Sequence, residues 1–248
     1  MNNNDFPLIS IVIITFRRPN EIRKTIASLG RHLLYPQNRL QWIIADDSSG
    51  GTYLDDLKND LKFIPNLKVI STQTNSGWGA NANNALAHCD GDFIYFQEDD
   101  YVLKKDIDLK AAIALMLVNL SVGLIRFDGI AGHRLLLHLA ESDISEFYPE
   151  YRLGYGNMGK VNYMLLDRAS RETWLYSNRP HLKRKSFHDF YGWYPVGLKL
   201  GETEETFAHT VKDGMERPDA PAIACMSGFV DRWFDDIGVS YQLTDWDK

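Results

Sequence analysis

The chain has 248 residues, 44% of them hydrophobic, with a net charge of −6 and an isoelectric point of about 5.6. That size suits one large α/β domain or a domain with an extension, and the acidic balance disfavours a polyanionic partner such as nucleic acid. Two cysteines, Cys89 and Cys225, lie in apolar stretches and make neither a disulfide framework nor a zinc pattern, so reduced thiols in a cytoplasmic setting are expected.

The opening MNNNDFPLIS lacks the basic and apolar regions of a secretory signal. ISIVIIT (9–15) is a β-branched run suited to a strand covered on both faces. A helix follows RRPN, with Pro19 in its first turn and Ile22, Ile26, Leu29 and Leu33 along one face. QWIIAD (41–46) reads as a second strand, and Leu54, Leu57 and Leu61 mark a second helix. LKVIS (67–71), a helix around GANANNALAHC and the strand FIYFQ (93–97) continue the alternation, followed by a helix over 106–117 and a strand over 122–127. AAIALMLVNLSVGLI (111–125) is too short to span a bilayer and reads as the end of a buried helix leading into a strand. Peripheral contact with the inner face of a membrane stays open.

The second half is less regular. YMLLD (163–167) suggests a strand and RASRETWLYSN (168–178) a helix. RPHLKRKSFHDFYGWYP (179–195) is dense in basic and aromatic residues. Lys183, Arg184 and Lys185 read as a solvated basic face, with an anionic acceptor or lipid phosphate as the alternative. The aromatics offer either core or sugar-stacking faces. ETEETFAHTVKD (202–213) predicts a helix with acids in its first turn, and the last twenty residues are expected to wrap the domain. The pattern as a whole argues for a doubly wound, mostly parallel sheet in a single domain. Residues 1–105 would form a nucleotide-binding half, 106–228 an irregular acceptor-side half and 229–248 a tail.

Two acid groups end strands on what would be one rim of a parallel sheet: Asp46 and Asp47, then Glu98, Asp99 and Asp100. Strand alternation would put Glu98 and Asp100 on one side of the chain and Asp99 on the other. Hard oxygen ligands at this spacing favour Mg²⁺ or Mn²⁺ bound together with substrate phosphates, with a plain solvated turn as the alternative. No G-x-G-x-x-G follows the first strand, and no G-K-[ST] loop occurs.

At these residues the chain resembles the family-two inverting glycosyltransferases, nucleotide-diphospho-sugar enzymes of the GT-A fold, a three-layer α/β/α sandwich. ISIVIITFRRP is similar to the family's opening strand and T-[YF]-N-R-P turn, with Arg17 in place of Asn. IIADDSS is similar to V-D-D-G-S, and NSGWGANANNALAHCDGDFIYFQEDD to the segment that ends in D-x-D. Ala82 and Ala85 depart from the family's Arg and Gly.

The resemblance implies that Thr15 and Phe16 flank the nucleoside and that Asp47, ahead of Asp46, accepts from the base. Asn75 and Gly77 would shape the turn near the nucleotide, with Asn83 beside it. Glu98, Asp99 and Asp100 would meet the diphosphate, with Asp100 and Glu98 as metal ligands. Glu204, with Glu205 beside it, would supply the general base, while His209 is either a late metal ligand or structural. The implied reaction is inverting transfer from a nucleotide sugar, a UDP-sugar foremost, to a hydroxyl on a glycan or lipid-linked acceptor. Rival readings are a nucleotidyltransferase, a silent carbohydrate-binding module, and a transferase acting on modified DNA bases, whose support is the run 183–185.

Overall fold

The computed structural model describes residues 6–127, 153–158, 161–166, 174–199, 201–226 and 233–238. Strand β1 (Ile9–Thr15) is buried at all seven positions. It leads through Arg17, at φ +53°, into helix α1 (Pro19–His32), where Pro19 lacks only an amide that the first turn would leave unpaired. Then come β2 (Leu33–Leu34), β3 (Leu40–Asp46), α2 (Tyr53–Leu61), β4 (Leu67–Ser71), α3 (Trp78–Ala87) and β5 (Phe93–Glu98). After these follow β6 (Tyr101–Leu103), β7 (Ile107–Asp108), α4 (Leu109–Val118) and β8 (Val122–Arg126). The later elements are β9 (Leu153–Met158), β10 (Val161–Leu166), β11 (His181–Arg184), α5 (Phe187–Tyr191), α6 (Glu202–Gly214), β12 (Ala222–Cys225) and β13 (Phe234–Asp236).

The main sheet has the order β4-β3-β1-β5-β11-β8-β12-β10-β9. Its first four strands are parallel, as the sequence pattern predicts. Beyond them the sheet becomes mixed, because β11 runs antiparallel between β5 and β8. Two apolar layers flank it. Val12 and Ile14 face α3 and α6 on one side, through Ala82, Ala85, Leu86, Phe207 and Val211. Ile9, Ile11 and Ile13 face α1, α2 and α4 on the other. The period of two in β1 therefore feeds both cores of an α/β/α sandwich, each buried aliphatic side chain contributing about 1.5–3 kcal/mol.

One expectation changes here. Residues 174–178 are turns rather than the end of a helix, and the rest of that segment lies outside the described residues. Of the C-terminal tail, the described part pairs β13 antiparallel to β6 and so packs beside the acid turn. Cys89 and Cys225 are buried free thiols. Among the described residues no helix is long and apolar enough to cross a membrane.

Helix α3 meets the loop before α6 at a glycine. A β-carbon on Gly79 would stand 2.0 Å from the Pro195 carbonyl oxygen. Backbone cannot yield as a side chain can, so Gly79→Ala should destabilise the protein by about 1–3 kcal/mol despite alanine's better helix propensity. Chemical denaturation checks this, and a midpoint at or above wild type contradicts it.

Candidate active site

The parallel register sets the rim. Thr15 lies opposite Asp46 and Ile14 opposite Glu98, so both acid groups end on one edge, with β1 between them. Two strand spacings separate the groups by about 10 Å, a span suited to a ligand lying across β1.

On the β3 side the carboxylates organise loops. Asp46, fully buried, accepts from the Ser49 amide at 2.9 Å, the Ser49 hydroxyl and the Ser71 hydroxyl at 3.1 Å. Asp47 accepts from Thr72 Oγ1 (2.8 Å) and the amides of Ser76 (2.9 Å) and Gly77 (2.8 Å). The Gly77 amide also reaches Asn75 Oδ1 at 3.3 Å, and Gly77 holds φ +82° at the start of α3, a conformation that costs glycine little. The Thr15 hydroxyl meets Tyr53 Oη at 2.6 Å, and the half-buried Phe16 ring carries the Arg17 guanidinium 4.9 Å above its centroid. Asn83 binds the Tyr194 main chain with both ends of its amide, at 2.9 and 3.0 Å, and so ties α3 to the 193–195 segment.

The acid turn departs from strict alternation. The strand stops at Glu98, and Asp99 and Asp100 form the turn into β6, so both face one cation. Arg18 Nη1 donates to Asp99 Oδ1 at 3.2 Å and to Asp100 Oδ2 at 2.5 Å. Both aspartates are buried, and among the described residues Asp99 Oδ2 and Asp100 Oδ1 have no hydrogen-bond partner. Burial pushes the Asp99 carboxyl up to about 7, against the pull of Arg18. Asp100 is raised by burial, with Arg18 opposing and Asp236 adding to the rise. Glu98 is driven well above the usual carboxylate range by burial first, then by the charges of Asp100, Glu204 and Asp99.

Those two orphaned oxygens fit a hard divalent cation, because an open site of one or two carboxylates is what Mg²⁺ or Mn²⁺ uses alongside phosphate oxygens. Among the described residues no group of three or more His, Cys, Asp or Glu side chains is placed to hold a metal ion.

Across the rim stands Glu204, in the first turn of α6. Its Oε1 accepts from Ser177 Oγ at 2.9 Å and from the Asn178 amide at 2.8 Å. Both bonds fall on Oε1, which leaves Oε2 as the atom able to take a proton. Glu205 is exposed. Glu202 is exposed too and accepts from the Lys199 amide. His209 is exposed, its Nδ1 2.8 Å from the Glu205 carbonyl oxygen.

The solvated-face reading of 183–185 fails at Lys183, whereas Arg184 is half-buried and Lys185 is exposed. Lys183 is fully buried, with Nζ 2.8 Å from Tyr194 Oη and 4.5 Å from the Phe96 ring centroid. The Arg184 guanidinium donates to the Val122 and Met116 carbonyls, and Lys185 donates to the Cys89 carbonyl. Because all three cationic groups already donate to the protein itself, the support for a DNA acceptor and for an anion held by that run is weakened. Of the aromatics that follow, Phe187, Tyr191 and Tyr194 are core, while Trp193 is 57% exposed. Sequence reasoning missed Arg18, Ser177 and Asn178. The Arg18 signal was present, since a buried carboxylate pair requires a nearby positive charge.

A mixed α/β sheet with a parallel first half, layered helices and acids gathered beyond the parallel strand ends is the GT-A type of glycosyltransferase fold. The chain belongs to glycosyl transferase family 2, whose profile matches residues 10–173, and it is a glycosyltransferase. It is 25% identical over 180 residues to an uncharacterized glycosyltransferase of Haemophilus influenzae, covering 71% of this chain and 69% of that one. It is 28% identical over 145 residues to the poly(ribitol-phosphate) β-N-acetylglucosaminyltransferase TarS of Staphylococcus aureus, covering 58% of this chain but 24% of TarS. The crystal structure of S. aureus TarS 1–349 in complex with UDP-GlcNAc superposes with a TM-score of 0.61 at 21% identity, covering 94% of this chain and 61% of that one. The mannosyltransferase PcManGT from Pyrobaculum calidifontis, in complex with GDP-Man and Mn²⁺, gives 0.58 at 13%, covering 86% and 53%. At these identities the structural likeness is one of fold.

Proposed function

We propose that this glycosyltransferase moves a sugar from a nucleotide-diphosphate sugar, UDP-linked by preference, to an acceptor hydroxyl on a glycan or lipid-linked precursor, with inversion at the anomeric carbon. The observation that carries the reading is the convergence of the Asp46–Asp47 and Glu98–Asp100 groups on one strand-end rim, with Asp99 and Asp100 each keeping a buried oxygen unpartnered among the described residues. The nucleoside lies along Thr15, Phe16 and the 75–77 loop that Asp47 holds. TarS is similar in sequence and in fold and has been seen with UDP-GlcNAc, which favours UDP over other nucleotides.

Glu204 Oε2 takes the acceptor proton as the hydroxyl oxygen attacks the anomeric carbon on the face opposite the diphosphate. Ser177 and Asn178 fix the carboxylate while this happens. Asp99 and Asp100 would hold the divalent ion through their unpartnered oxygens, with Glu98 adjacent, and Arg18 adds a fixed positive charge at the same turn. When bound, the ion supplies charge stabilisation for the departing diphosphate.

A donor panel tests the reading without knowledge of the acceptor. With Mn²⁺ present, slow hydrolysis should release UDP from at least one UDP-sugar faster than nucleotide is released from GDP- or ADP-sugars. Protection of the protein by no nucleotide sugar, together with no hydrolysis, would argue for a different donor class.

A further inference from the structure

A lysine buried in an aromatic cage with no acid beside it requires an explanation. Lys183 is fully buried, and burial holds its amine well below the usual lysine range. Among the described residues its one hydrogen bond goes to Tyr194 Oη, and no carboxylate pairs with it. Such a group costs stability that a methionine of similar shape would not.

The bonds beyond it have a forced direction. Tyr176 Oη donates its only proton to Asn178 Oδ1 at 2.9 Å, because that oxygen can only accept. In the 2.5 Å contact between the two tyrosines, Tyr194 must therefore be the donor. With its own proton committed, Tyr194 Oη is the acceptor from Lys183. The relay runs one way, Lys183 to Tyr194 to Tyr176 to Asn178, and the main-chain amide of Asn178 holds Glu204. The aromatic packing keeps it dry: Tyr176 and Tyr194 lie 4.8 and 4.6 Å from Phe207, one turn along α6 from Glu204.

We propose that Lys183 is a positioning residue for transfer: by donating to Tyr194 it sets the direction of the buried hydroxyl relay that clamps Asn178 and so aims Glu204 at the acceptor. Without that donor, Tyr194 Oη loses the hydrogen bond it accepts, which weakens its own bond to Tyr176 and through it the hold on Asn178 Oδ1. The proposal rests on Glu204 being the base.

The test is Lys183→Met, measured beside Tyr176→Phe, the double variant and Glu204→Gln, with Mn²⁺, the UDP-sugar that the donor panel selects and water as the acceptor. Lys183→Met should fold with a melting temperature at or above wild type. Its kcat should fall about 10–100-fold, the cost of a misaimed catalytic group, with the Kd for UDP unchanged. Tyr176→Phe should lose a similar factor, and the double variant no more than the worse single, since both break one relay. If Lys183→Met does not fold, Tyr176→Phe still reads the relay. Wild-type kcat in these variants, alongside a dead Glu204→Gln, overturns the relay and leaves the base assignment intact. Full losses that multiply in the double variant also overturn it. An active Glu204→Gln overturns the base assignment itself, and the positioning role with it.

Discussion

Glu204→Gln should abolish most transfer while leaving donor binding intact. Gln keeps the volume and keeps an oxygen to accept from Ser177 Oγ and the Asn178 amide, so the first turn of α6 has no reason to move. What is lost is basicity at the second carboxylate oxygen, and general-base catalysis typically contributes about 10²–10⁴-fold. The loss should therefore appear in kcat, with the Kd for UDP near wild type. Glu205→Gln and Glu202→Gln should stay close to wild type, because both side chains are exposed. Direct attack also predicts a β-linked product from an α-linked donor. Retention of configuration would remove the single-displacement mechanism whatever the mutant rates.

The first half of this site was legible because its physics is local. A run such as ISIVIIT has no polar face to show to water, and strands ending in IIADD and FIYFQEDD place their acids on one rim as soon as the strands are parallel. Alternation failed at Asp99 and Asp100 because it describes a strand, and the chain turns there to reach β6. The second half was read poorly for a different reason. In HLKRK the charges mark the stretch as surface, yet β11 lies mid-sheet between β5 and β8. Lys183 is held there by Tyr194, eleven residues on, and by the ring of Phe96, far off in sequence. Such long-range partners leave no periodic trace. Asn83 and Asp47 show the same limit: their residue types fit ligand contacts, while the structure has them gripping the Tyr194 backbone and the 72–77 loop.

Arg18 is where charge balance and metal use should separate. Its guanidinium compensates two buried carboxylates, so Arg18→Gln leaves them facing one another with less positive charge nearby. Removing one partner of a buried ion pair costs about 3–5 kcal/mol, and less here because the Arg18 side chain keeps 22% of its surface in water. Without metal the variant should therefore unfold at lower denaturant than wild type. Mn²⁺ with UDP should recover much of the difference, because the freed oxygens of Asp99 and Asp100 strengthen the cation site. Asp100→Asn acts in the opposite sense. It relieves the crowding on Glu98, so the metal-free protein should be at least as stable as wild type, but it removes one anionic ligand, so stabilisation by Mn²⁺ should shrink and donor turnover collapse. Electron paramagnetic resonance titration of free Mn²⁺ reads the affinity directly, independent of turnover. Tighter Mn²⁺ in Arg18→Gln and weaker Mn²⁺ in Asp100→Asn are the expected pair. Equal Mn²⁺ affinity in both variants and wild type, with turnover persisting in excess chelator, would mean that Arg18 supplies the positive charge at this turn without help from a metal.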